Sequence, residues 1–155
     1  MSRINLSRLQ NEWRKIQNPG PGYDDIVSVT MVEDDMSHLI ATIKGPAGCL
    51  YADYKFELDI RIPNNYPLEP PGIKFKTPIE HVNVNRSGDI CLDTIKSAGW
   101  SPTQNILSVL TTITSLLGEP NADDPFNSDL AQLFRDHHSV YEQRVRDACE
   151  QYATK

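Results

Sequence analysis

The spacing of apolar residues changes along this chain, and each change marks a different kind of element. Leu6, Leu9, Trp13 and Ile16 recur at intervals of three, four and three, which predicts a helix with one apolar face. The run Asn18-Pro19-Gly20-Pro21-Gly22 ends it, because proline lacks an amide donor and glycine favours turns. Residues 26–32 are rich in β-branched side chains and predict a strand. Leu39 to Ile43 predicts another, closed by Gly45-Pro46-Ala47-Gly48. The plainest pattern runs from Tyr54 to Ile62, where Tyr54, Phe56, Leu58, Ile60 and Ile62 alternate with Lys55, Glu57, Asp59 and Arg61. A period of two predicts a strand with one face on a core and the other in water. Ile73 to Lys76 predicts a fourth strand, and the short connections predict an antiparallel meander.

Between Pro78 and Trp100 the periodicity fails, and Asn, Gly, Asp and Ser replace it. Compact domains carry so long an irregular stretch chiefly where it serves function. Cys91 lies within it. Helical spacing returns at Ile106, Val109, Leu110, Ile113, Leu116 and Leu117, ended by Gly118 and Pro120. Ser108, Thr111, Thr112 and Ser115 make its other side small and polar. Either Asn105 or Ser101-Pro102 can start this helix. A third helix begins at Ser128 with Leu130, Leu133 and Phe134, and a fourth presents Tyr141, Val145, Ala148 and Tyr152 on one face. The order of helix, strands, irregular loop and helices reads as an α+β fold.

The length, 155 residues, suits a single domain spanning 1–155, and 39% hydrophobic with 23% charged residues is ordinary globular usage. A net charge of -6 argues against broad nucleic-acid binding, although Arg3, Arg8, Arg14 and Lys15 make the opening segment locally basic. Cys49, Cys91 and Cys149 are odd in number and scattered, a poor basis for disulfides or zinc. With no apolar leader and no long apolar run, the expectation is a soluble intracellular protein, in cytoplasm or nucleus, with no membrane partner.

Three features can carry chemistry. A lone cysteine is usually a small buried hydrophobe, but Cys91 sits in a polar, irregular segment. Asp89 and Asp93 flank it and disfavour a thiolate, while Arg86 and Lys96 are the nearest cations. His81 is a trial base for the sulfur, as a cysteine protease would need, but sequence spacing does not establish contact. An ordinary thiol suits thiol exchange better than peptide hydrolysis. Asp123-Asp124-Pro125 reads by itself as a solvated turn, and His137-His138 as solvated helix surface without a metal-ligand pattern. No glycine-rich phosphate loop is present.

Taken together, these residues resemble the ubiquitin-conjugating enzymes. Tyr66-Pro67-Leu68-Glu69-Pro70-Pro71 is similar to that family's Tyr-Pro-x-x-Pro-Pro loop. Gly88-Asp89-Ile90-Cys91-Leu92-Asp93 resembles its Gly-x-Ile-Cys-Leu-Asp signature. Trp100-Ser101-Pro102 and Glu119-Pro120-Asn121-Ala122-Asp123-Asp124-Pro125 match its two later landmarks, in the same order over nearly the whole chain. The resemblance implies an N-terminal helix, a four-stranded antiparallel meander and three later helices. It implies that Cys91 accepts ubiquitin from an activating enzyme as a thioester and passes it to a substrate lysine or a ligase cysteine. Asn83 matches the asparagine that stabilises the oxyanion or holds the active-site loop. Asp124 matches an acid near the incoming lysine, and His81 and Asp93 match structural positions near the site. Leu68, Pro102 and Arg8 correspond to the surface that binds RING-type or other ligases, and Ser108, Thr111 and Ser115 to the donor-ubiquitin surface. No metal or cofactor is implied, since the upstream activating enzyme uses the ATP.

Two positions depart from the family pattern. His81-Val82-Asn83 stands where His-Pro-Asn is usual, and valine leaves that turn less preorganised by about 0.4–1 kcal/mol. Leu68-Glu69 stands where phenylalanine and a basic residue are common, which implies a different choice of ligase. Two other readings keep the fold: a conjugating enzyme for SUMO or another ubiquitin-like modifier, and an inactive ubiquitin-binding scaffold. The acidic charge argues against the first, and the intact cysteine signature against the second.

Overall fold

The computed structural model describes residues 3–92, 95–96 and 98–155. Its elements follow in the order α1 (Arg3–Gln17), β1 (Ile26–Val32), β2 (Asp35–Lys44), β3 (Lys55–Arg61), β4 (Gly72–Phe75), α2 (Ile106–Gly118), α3 (Ser128–Asp136) and α4 (His138–Tyr152). The strands form one antiparallel sheet in chain order, β1-β2-β3-β4. This is the expected α+β meander with later helices.

Register explains why the Tyr54–Ile62 alternation matters. Leu39 pairs with Ile60, Ala41 with Leu58 and Ile43 with Phe56 across β2 and β3, while Leu58 meets Phe75 and Ile60 meets Ile73 across β3 and β4. These residues lie on one face of the sheet and are buried. Helix α2 covers that sheet with Ile106, Val109, Leu110, Ile113 and Leu117, all buried. Its start is Asn105, not Ser101-Pro102. The Asn105 side chain accepts from the Ser108 N–H and the Ser108 hydroxyl from the Asn105 N–H, a reciprocal capping box.

Two expectations need correction. Leu6 is 41% exposed, so the buried stripe of α1 starts at Leu9. On α4 the buried positions are Tyr141, Val145 and Cys149, spaced by four, while Tyr152 is 50% exposed. Cys149 is therefore a free thiol packed in the core. His138 is solvated as expected, its side chain 52% exposed, and its ring also lies 5.0 Å from that of Phe134 and 5.1 Å from that of Tyr141.

Candidate active site

Cys91 is presented by a loop folded back on the edge of β4. Asn85 builds the turn, its side-chain oxygen accepting from the Ser87 and Asp89 amides at 3.0 and 2.9 Å. Gly88 is needed where the loop meets the strand. Its φ is +89°, and a Cβ there would lie 2.2 Å from the Phe75 carbonyl oxygen. The Phe75 N–H then donates to Gly88 O at 2.9 Å, and the Cys91 N–H to Asn83 O at 2.8 Å. The chain leading up to the thiol is thereby held against β4 and against Asn83 while the cysteine stays partly exposed.

The sulfur sits between opposite charges. Lys96 Nζ is 3.8 Å from Cys91 Sγ, and the thiol points to Asp124 Oδ2 at 3.7 Å. The thiol lies above its ordinary pKa range: partial burial raises it most, Lys96 pulls it down, and Asp124 pushes it back up. The flanking Asp89 is not the carboxylate at the sulfur; Asp124, distant in sequence, is. Among the other thiols, burial pushes Cys149 to about 11 and also raises Cys49.

His81 does not serve the sulfur. It is fully buried, its Nε2 bonded to Leu116 O and its Nδ1 accepting the Asn83 N–H. Burial lowers its pKa to about 4, so it is a neutral strut between the loop and α2. Asn83, 2% exposed, spends its side-chain amide on the 121–124 segment. Its Nδ2 donates to Asn121 O at 2.9 Å and Asp124 O at 3.1 Å, and its Oδ1 accepts from the Asn121 N–H at 2.8 Å. Both amide hydrogens are engaged, so this geometry holds the loop and leaves none for an oxyanion. The Val82 carbonyl accepts from the Phe126 and Asn127 amides, closing the same segment onto the Cys91 loop. Sequence reasoning missed Asn121; only the paired hydrogen bonds reveal it.

The remaining candidates are dispersed around this centre. Asp93 lies outside the described residues. Leu68 is 76% exposed and Pro102 is also exposed, and their loops are tied together by the Trp100 indole donating to Pro67 O at 2.8 Å. Arg8 is drawn inward, donating to Pro102 O and Gln104 O and pairing with Glu12. Thr111 and Ser115 are exposed on α2, whereas Ser108 is committed to its cap. A groove of about 660 Å³ between α4 and residues 75–88 is not lined by Cys91, Asn83 or Asp124. An open thiol on a braced loop suits exchange between large partners better than capture of a small molecule.

The family profile described as ubiquitin-conjugating enzyme matches residues 8–149. A probable ubiquitin-conjugating enzyme of Acanthamoeba polyphaga mimivirus is 43% identical over 99% of this chain and 97% of its own length. The ubiquitin-conjugating enzyme pex4 of Dictyostelium discoideum is 43% identical over 83% of this chain and 85% of its own. Among solved structures, a putative ubiquitin-conjugating enzyme of Plasmodium yoelii superposes with a TM-score of 0.89 at 34% identity, covering 100% of this chain and 99% of that one. A Toxoplasma gondii ubiquitin-conjugating domain gives 0.87 at 35% identity, covering 96% and 99%.

Proposed function

This chain belongs to the ubiquitin-conjugating enzyme family, transferases that carry ubiquitin as a cysteine thioester, and from that premise we propose that Cys91 is the carrier. The family works between an activating enzyme, which supplies ubiquitin, and a ligase or substrate, which receives it. The observation that carries the assignment is the partly exposed Cys91 sulfur between Lys96 and Asp124, on a loop held against β4 and against Asn83.

In loading, the Cys91 sulfur attacks the thioester carbonyl on the activating enzyme. A new C–S bond forms, the old one breaks, and the departing thiol keeps the proton that Cys91 loses. A thiol held above its ordinary pKa is a poorer leaving group, which slows loss of the thioester to water. In discharge, a lysine nitrogen attacks the same carbonyl and the C–S bond breaks. Cys91 leaves as thiol, taking up the proton that the amine releases. Asp124 orients the incoming ammonium and accepts its proton. Asn83 acts through the loop it holds, setting where the Asp124 backbone and carboxylate stand.

Leu68 and Pro102 form the exposed apolar anchor for a RING-type ligase, with Arg8 supporting it from beneath. Thr111 and Ser115 take the donor ubiquitin. Residues 1–155 act as one catalytic core that works in cytoplasm or nucleus. The reaction calls for no cofactor of its own, ATP being consumed by the activating enzyme.

Incubation with activating enzyme, ATP and one modifier at a time, read on a non-reducing gel, tests this. Wild-type protein should acquire one reducible ubiquitin, Cys91→Ala none, and Cys91→Ser an oxygen ester that survives thiol reductant. Loss of the adduct in Cys49→Ala or Cys149→Ala, with retention in Cys91→Ala, would overturn the site. Preferential loading of SUMO would overturn the modifier.

A further inference from the structure

The most heavily bonded buried carboxylate in the described structure is not at the thiol but under the proposed ligase surface. Glu12 projects from α1 and is 6% exposed. Its Oε1 accepts the Ile106 N–H at 2.9 Å, in the first turn of α2. Its Oε2 accepts the Tyr66 hydroxyl and, at 2.7 Å, the Arg8 Nε. Arg8 in turn donates to Pro102 O at 2.9 Å and Gln104 O at 2.6 Å, with its guanidinium 5.6 Å from the Tyr66 ring centre.

Three donors, from Tyr66, Arg8 and Ile106, therefore converge on one anion. Tyr66 belongs to the loop that carries Leu68, Arg8 grips the loop that carries Pro102, and Ile106 begins α2. The first turn of α2 has no acidic residue, so the negative charge that its unpaired amides favour comes from another helix. A buried anion with three donors, one of them a cation, holds one geometry, because displacing any partner leaves a charge or donor unsatisfied.

We propose that Glu12 is a positioning residue that transmits ligase docking at Leu68 and Pro102 to the start of α2, and so to the helix face that holds the donor ubiquitin. This rests on the ligase and donor surfaces proposed above. A partner that presses on either loop moves a group bonded directly to the Glu12 carboxylate. The carboxylate is also bonded directly to α2, so no further residue is needed between the docking surface and the helix. In Glu12→Gln the charge is lost and one acceptor oxygen becomes an N–H₂, which cannot accept, so either the Ile106 amide or the Arg8 guanidinium loses its acceptor. Tyr66→Phe is milder, removing one donor while keeping the ring and the ion pair.

The test uses the full chain and a RING domain that stimulates wild-type discharge of ubiquitin to free lysine. The rate is followed against RING concentration. In Glu12→Gln the stimulated plateau should fall roughly five- to tenfold, while half-saturation, loading and unstimulated discharge stay within about twofold. Tyr66→Phe should fall less. A merely structural role would instead move loading, unstimulated discharge and half-saturation together. An unchanged plateau in folded Glu12→Gln overturns the inference, as does an equal loss in every assay. If Glu12→Gln does not fold, an unchanged plateau in Tyr66→Phe overturns it. Leu68→Ala is run alongside. If it leaves half-saturation unaltered, or no RING domain stimulates the wild type, the docking surface itself is wrong and the coupling falls with it. If Leu68→Ala weakens half-saturation and the Glu12→Gln plateau is normal, only the coupling falls.

Discussion

Charges within 4 Å of the Cys91 sulfur act on it in opposite directions, and each can be removed singly. Asp124→Asn deletes a negative charge beside the thiolate, so the thiol pKa should fall. Lys96→Ala deletes the compensating cation, so it should rise. Alkylation of Cys91 by iodoacetamide across pH, in a Cys49→Ser background, reads both shifts; a common direction would contradict the geometry. Discharge responds differently. Asp124→Ala should load normally, discharge to free lysine more slowly and show a higher optimum pH, because the amine must then lose its proton unaided. Asn83→Ala should also load, but discharge roughly tenfold or more slowly as the 121–124 segment loses three side-chain bonds. Val82→Pro keeps the carbonyl that binds Phe126 and Asn127, so discharge should be unchanged or faster. Asn83 is held by tertiary bonds, which supply the order that the absent proline would otherwise give.

Two small residues on α2, alike in sequence, have different work. Ser108 completes the capping box, so Ser108→Ala should lower stability by about 1 kcal/mol, seen as a lower urea midpoint, with lysine discharge little changed. Ser115 is exposed on the face assigned to the donor ubiquitin, so Ser115→Asp should slow discharge several-fold, leaving the midpoint and loading intact. Unchanged discharge in Ser115→Asp would remove this face from the mechanism. Pattern reading grouped both serines into one polar stripe because helical spacing reports which face a residue occupies. It does not report which hydroxyl is already bonded. The β1–β2 hairpin shows the same limit. Glu33 and Asp34 adopt φ of 53° and 59° with no glycine or asparagine to signal a turn, so β2 begins four residues earlier than its apolar run.

At the scale of the whole molecule, His81 links function to stability. It is buried with its pKa lowered from 6.5 to about 4, so below pH 6.5 the unfolded chain binds a proton that the folded one excludes. The stability this contributes is full above pH 6.5 and lost as pH falls towards 4, at most about 3 kcal/mol from the shift alone. The urea midpoint of the wild type should therefore drop between pH 7 and 4.5 more steeply than that of His81→Gln. Equal slopes would show that His81 is not the group responsible. Because His81 bonds both Leu116 O and the Asn83 N–H, acid should loosen the active loop together with α2.

The sequence by itself determined the alternation of β3, the buried stripe of α2, two of the buried positions of α4 (Tyr141 and Val145), the antiparallel meander and the irregular stretch containing Cys91. Those depend on local period and turn chemistry, which are written in consecutive residues. The signature around Cys91 also identified the family, since its landmarks follow one another in order along the chain. Only the tertiary structure decided which carboxylate meets the sulfur, that Asn83 holds a loop, and that Glu12 joins α1, two loops and α2. Each of these contacts spans 33 to 94 residues of chain. A polar residue's partner at that separation is chosen by how the sheet and helices pack, and no periodicity in the chain records it.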